Sequence, residues 1–153
     1  FAGTVYPKLF TMLRDALIER QAAGSDEEAF IGFAGGVPSP MGGVSADHFV
    51  PRQLRSRGRQ YAQVDPAVLD SAINGELFAG LDPYRPIACP VTLLAANEAY
   101  GAAILPGDAE RLRQHSPHAE VIEFPEVGHG IHASTVSEAR FLDELDRFAS
   151  ANR

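Results

Sequence analysis

The sequence predicts an α/β chain in two stretches, an all-helical unit over residues 1–88 and a strand–helix–strand–helix segment over residues 89–153. Three observations predict it. Residues 1–88 carry apolar residues at helical spacing between Gly/Pro-rich loops, with no alternating or β-branched run. The run VTLLAA at 91–96 is uninterrupted and apolar, the pattern of a strand covered on both faces. A second strand-like run, AEVIEF at 119–124, follows one helix later, and that spacing implies parallel pairing through a crossover.

Taken in order, Leu9, Phe10, Leu13, Leu17 and Ile18 recur every three or four residues and form one apolar helical face, with Gly24 as its stop. Ser25 or Asp26 caps a second helix through Phe33, with Glu27 and Glu28 where the helix dipole favours acids. Residues 35–44 (GGVPSPMGGV) are too rich in Gly and Pro for regular structure and read as a loop. Pro51 opens a helix carrying Leu54 and Tyr61. Asp65 and Pro66 read as cap and first residue of a helix over 67–74, closed by Gly75.

After the first strand, Gly107 and Asp108 start a helix over 109–115 with Leu112 inward, and Pro117 follows it. Thr135 and Glu138 fit a capping box. The closing helix is expected to bury Phe141, Leu142, Leu145 and Phe148. Two parallel strands need further strands beside them, and residues 1–88 supply none.

Composition narrows the function. At 153 residues and 45% hydrophobic, the chain has the length and apolar content of one ordinary domain. No apolar run approaches the roughly 20 residues of a membrane-spanning helix. The net charge of −7 argues against a nucleic-acid or anionic-membrane partner. The acidity is concentrated late: residues 89–153 hold 5 Lys/Arg against 10 Asp/Glu. A lone cysteine, Cys89, forms no intramolecular disulfide, and no signal-peptide pattern is present, which fits a cytoplasmic placement. Next to Pro90 at a strand entrance, Cys89 reads as a buried small hydrophobe.

The segment with most chemical content is residues 125–132, PEVGHGIH. It follows the second strand directly, at the strand end where open α/β sheets place their ligands. Gly128 and Gly130 flank His129, letting the backbone turn and keeping bulk from an imidazole able to shuttle a proton near neutrality. His129 and His132 have no third ligand close by, so neither a metal nor another cofactor is expected, and His132 reads as a residue that holds the turn. Arg52, Arg55, Arg57 and Arg59 read as a solvated helix face rather than an anion site. Asp108 reads as a helix-start residue.

Residues 89–153, through CPVTLLAANEAYG, DAERLRQHSPHAEVIEFPEVGHGIH and a closing helix with Phe141 and Leu142, resemble the C-terminal part of an α/β-hydrolase. Residues 1–88, ending in DPAVLDSAINGELFAGLDPYRPI, resemble that family's helical cap and its return to the sheet. The resemblance implies the last two parallel strands of the sheet with flanking helices, plus a cap. It implies acyl transfer from a small ester, lactone or amide by nucleophile, base and acid. His129 takes the base role by resemblance. Where the family often has Asp after the strand, this chain reads Asn97-Glu98. Glu98 is the preferred third member, since Asn97 supplies no charge, and a purely structural role for both stays open.

The G-x-S-x-G elbow is absent from the sequence, as is the oxyanion-hole loop. The expectation is therefore a cap plus C-terminal part, starting at Phe1 after a cut, with a companion N-terminal polypeptide bearing the nucleophile. The Gly/Pro loop would act as a lid, with Phe30, Phe33, Met41 and Phe49 lining the acyl pocket or packing the cap. Two alternatives share the fold: a non-catalytic ligand-binding protein, and a lyase or cyclase using His129 for proton transfer.

Overall fold

The computed structural model describes residues 6–80, 85–104 and 107–152. The Phe1 start and residues 81–84 of the expected cap-to-sheet connection lie outside them. The chain divides into two compact units, Phe1–Ala79 and Gly80–Arg153, earlier than the expected boundary at 88. Ile87 belongs with the second unit, where its N–H donates to Ser116 Oγ at 3.1 Å.

The first unit is helical: α1 (Tyr6–Ala22), α2 (Glu27–Gly36), α3 (Pro51–Gln63) and α4 (Val68–Ile73). Gly24, at φ +67°, stops α1 by letting the Ser25 N–H reach back to the Arg20 carbonyl at 3.1 Å. Asp26 caps α2, its carboxylate accepting from the Ala29 N–H at 2.9 Å. That helix runs on through Gly35 and Gly36, past the expected end at Phe33. The loop after it is closed rather than loose. Pro38 bridges Val44, and the Ser45 N–H and hydroxyl both donate to the Val37 carbonyl. Asp65 accepts from the Ala67 N–H at 3.0 Å one turn before α4, so it makes a local turn instead of the expected cap.

Leu13, Leu17 and Phe30 form the core of this unit, with Phe33, Tyr61, Ala62, Val64 and Leu69 packed against it. Each such side chain contributes about 1.5–3 kcal/mol when fully buried. Ile18, expected on the buried face, is 52% exposed. Of the two expectations for Phe30, Phe33, Met41 and Phe49, packing within the helical unit is the one their contacts show. Phe30 is core, Phe33 lies under the Arg20 guanidinium and beside Tyr61, Phe49 lies under Arg57, and Met41 is in the closed loop.

Burial also pushes two phenols of this unit upward, Tyr6 to about 12 and Tyr61 in the same direction, with Arg57 opposing both. The folded state therefore favours the neutral phenol. Its stability is fully present below the ordinary tyrosine value of about 10 and is lost as pH rises from there toward 12. Alkaline titration followed at 295 nm and by circular dichroism should show tyrosinate formation lagging and then coinciding with loss of helix. Tyr61→Phe should move the helix loss to higher pH. Both phenols ionising near 10 with helix intact would contradict this.

The second unit contains β1 (Val91–Ala96), α5 (Asp108–His115), β2 (Ala119–Phe124) and α6 (Glu138–Ala151). The strands pair in parallel, with Val91 opposite Ala119 and Ala96 opposite Phe124. They form a two-stranded sheet among the described residues. All six residues of β1 are half-buried, so the expected burial on both faces is not met: one neighbouring strand and one helix cannot enclose it. The expected capping box is also absent. Glu138 is the first residue of α6 and Thr135 is exposed, while the Ser137 hydroxyl, wholly buried, donates to the Ile131 carbonyl at 2.7 Å.

α6 buries no residue completely; Leu142 and Leu145 are 46% and 51% exposed. Phe141, Leu145 and Phe148 instead border an open groove of about 240 Å³ with Thr92 and Leu94 of β1. Arg140 stacks on Phe124, which is completely buried, and Arg147 bridges Glu120 and Glu144. Cys89 is exposed, contrary to the sequence reading.

Candidate active site

Parallel pairing puts the carboxyl ends of β1 and β2 side by side, so the chain leaves both strands at one edge of the sheet. After β1, Asn97 caps a short 3-10 turn, Glu98–Tyr100, its side-chain oxygen accepting from the Ala99 N–H at 2.9 Å. Gly101, at φ +80°, ends that turn and donates to the Glu98 carbonyl. After β2 come Pro125, Glu126, the buried pair Val127 and Gly128, and then His129, which is exposed.

Three hydrogen bonds lace the two loops together. The Asn97 N–H donates to the Val127 carbonyl at 2.8 Å. The Asn97 side-chain Nδ2 donates to the Pro125 carbonyl at 2.7 Å. The His129 N–H reaches the Gly101 carbonyl at 3.4 Å, a longer contact. The loops also touch at Gly128, where an added Cβ would lie 1.9 Å from the Tyr100 carbonyl oxygen. Gly128 thus serves a close backbone approach more than a clear space around the imidazole.

Beyond His129 the chain is held from beneath. The Ala133 N–H bonds the Gly130 carbonyl, and Ser137 holds Ile131. His132 packs near Phe141, ring centres 6.2 Å apart, in keeping with a residue that holds the turn. Glu126 meets Arg140 at 3.5 Å.

The structure therefore brings the three sequence candidates onto one platform, in different roles. His129 is presented outward from a braced turn. Asn97 is committed to backbone groups through both ends of its amide. Glu98 is exposed on the 3-10 turn, and among the described residues no ion pair joins it to His129. Sequence reasoning missed Tyr100 and Gly101, which face the histidine turn with their carbonyls. An Asn directly after a strand, followed four residues on by Gly, is a turn signal that could have located them.

Elsewhere the described residues hold no cluster of three or more His, Cys, Asp or Glu able to bind a metal. No helix among them is long and apolar enough to cross a membrane. Arg52, Arg55 and Arg59 line an open hollow with Ser56, Gln60 and Gln63, all from α3, and Arg59 is paired with Glu27 at 2.8 Å. Such a one-helix surface fits a solvated face. Comparison with protein-family models, curated proteins and solved structures found no match to this chain.

Proposed function

We propose that this chain supplies the proton-transfer part of an α/β-hydrolase-type acyl-transfer site, with His129 as general base and a small ester, lactone or amide as substrate. The observation that carries the reading is the laced pair of loops at the carboxyl ends of β1 and β2, which presents His129 outward on a braced turn. In this reading the nucleophile stands outside residues 1–153, which carry no G-x-S-x-G elbow, and a companion polypeptide supplies it.

The imidazole takes the nucleophile's proton as the nucleophile bonds to the acyl carbon. It then gives that proton to the leaving oxygen or nitrogen as the old bond breaks, and activates water to release the acid. In this reading Glu98, exposed on the 3-10 turn, takes the role of the carboxylate that orients the ring, since the amide of Asn97 is already bonded. A cytoplasmic setting fits a single cysteine that is exposed and unpaired.

The test mixes the chain with a candidate N-terminal polypeptide that carries a G-x-S-x-G elbow, using short-chain p-nitrophenyl esters. Turnover should require both polypeptides, and His129→Ala should lower kcat/KM by about 10³-fold or more. Retained turnover in His129→Ala would reject the assigned base. The full bonding of Asn97 to backbone favours one other reading, a non-catalytic ligand-binding protein. Saturable ester binding without turnover by the pair would select it.

A further inference from the structure

We propose that Asn97 is the positioning residue of the site, and that it acts as an amide where an acid would fail. This rests on the reading of His129 as the working group. The Asn97 side chain faces two backbone groups of opposite character: the Ala99 N–H, which needs an acceptor, and the Pro125 carbonyl, which needs a donor. Only a group with an acceptor on one branch and a donor on the other satisfies both, and this fixes the amide's orientation by chemistry.

The two bonds do different work. The 2.9 Å bond to Ala99 caps the 3-10 turn within its own loop. The 2.7 Å bond to Pro125 crosses to the other loop, four residues before His129. With the backbone bond from the Asn97 N–H to the Val127 carbonyl, one residue grips the histidine loop at two points. The approach of Gly128 to Tyr100, and the contact of the His129 N–H with Gly101, sit directly beyond those points. Asn97 thereby sets where the turn bearing His129 stands relative to β1.

Asn97→Asp, which installs the carboxylate that the hydrolase pattern would lead one to expect, should therefore loosen the site. It keeps the acceptor for Ala99 but puts an anionic oxygen where Nδ2 faced a carbonyl at 2.7 Å. The readout is hydrogen exchange at the His129 amide, measured by NMR as a protection factor on the whole chain. Asn97→Asp and Asn97→Ala should both lose about tenfold protection at neutral pH, with amides inside β1 and β2 unchanged. On acidification through about pH 4 the aspartic acid gains a proton and can donate to Pro125. Protection should then return in Asn97→Asp and stay lost in Asn97→Ala.

The carboxylates of Glu98 and Glu126, the Arg140 guanidinium beside Glu126, and the His129 ring border this region. They are the same in both variants, so their titration does not produce the difference. Wild-type protection in Asn97→Asp at neutral pH overturns the proposal, as does identical behaviour of the two variants on acidification. Should Asn97→Asp not fold, Asn97→Ser gives the answer. Its hydroxyl still caps Ala99 without reaching Pro125, so protection should fall at His129 alone, and unchanged protection overturns the assignment.

In the assembled enzyme the same variants should lower kcat with KM held. Exchange results as expected without any hydrolysis would refute the catalytic reading and leave the positioning result standing. Hydrolysis dependent on His129 with unaltered exchange would do the reverse.

Discussion

Replacing Gly128 by alanine should detach the turn bearing His129 from the loop after β1. The new Cβ would lie 1.9 Å from the Tyr100 carbonyl oxygen and 2.9 Å from its carbon. Both atoms are backbone, so no side-chain rotation relieves the overlap, and the loops must part. Parting them breaks or stretches the bonds from Asn97 to Val127 and Pro125 and from His129 to Gly101. Each such bond is worth about 1 kcal/mol net, and the group left unbonded adds desolvation cost where it stays buried. The expected loss is about 2–4 kcal/mol in the second unit, read by urea denaturation, with faster exchange at Asn97 and His129. Wild-type stability and exchange in Gly128→Ala would show that the close approach is not present in solution.

Gly58→Ala should likewise destabilise the first unit, although local propensity points the other way. In a helix interior alanine is favoured over glycine by about 1 kcal/mol, so an isolated α3 would gain. But Gly58 is where α3 crosses α2, and a Cβ there would lie 2.5 Å from Ile31 Cα and 2.7 Å from its nitrogen. The contact is again with backbone, so the helices must separate, opening the packing around Phe30, Phe33 and Tyr61. Overpacking of this kind costs about 1–3 kcal/mol, and more where backbone must shift. A fall in the melting temperature of the first unit, followed by circular dichroism, is expected. A rise would show that propensity governs and that the helices cross elsewhere.

Much of the architecture was legible because its signals are local. The apolar runs 91–96 and 119–124 became strands with those bounds, and the intervening helix made their pairing parallel. Asp26, Gly24 and Pro51 acted where cap, stop and first-turn residues act. What failed depended on how much surrounds an element. Leu142 and Leu145 have the spacing of buried residues, but the two strands among the described residues leave them about half exposed. Cys89 reads as apolar and stands exposed at the entrance to β1. The capping box failed because Ser134 and Ser137 took over the entry to α6 through the Ser134 carbonyl and the bond to Ile131.

At the site, the position of His129 was legible from the strand before it and the glycines around it. The division of labour between Asn97 and Glu98 was not. It depends on the Pro125 carbonyl, which lies 28 residues away in sequence and comes near only through strand pairing. A pattern read along the chain contains no trace of that acceptor. The same holds for Gly128, whose partner, Tyr100, lies on the other loop.

The in-register pairing of β1 and β2 also sets an order of assembly. α5 can begin to form from its own residues, but the strands must close a loop of roughly twenty residues before any ladder bond forms, and that closure costs entropy in advance. The links between the two strand-end loops come later still, because Pro125 and Tyr100 acquire their partners only once the register is set. The turn bearing His129 can therefore dock against the loop after β1 only once the two strands have paired in register.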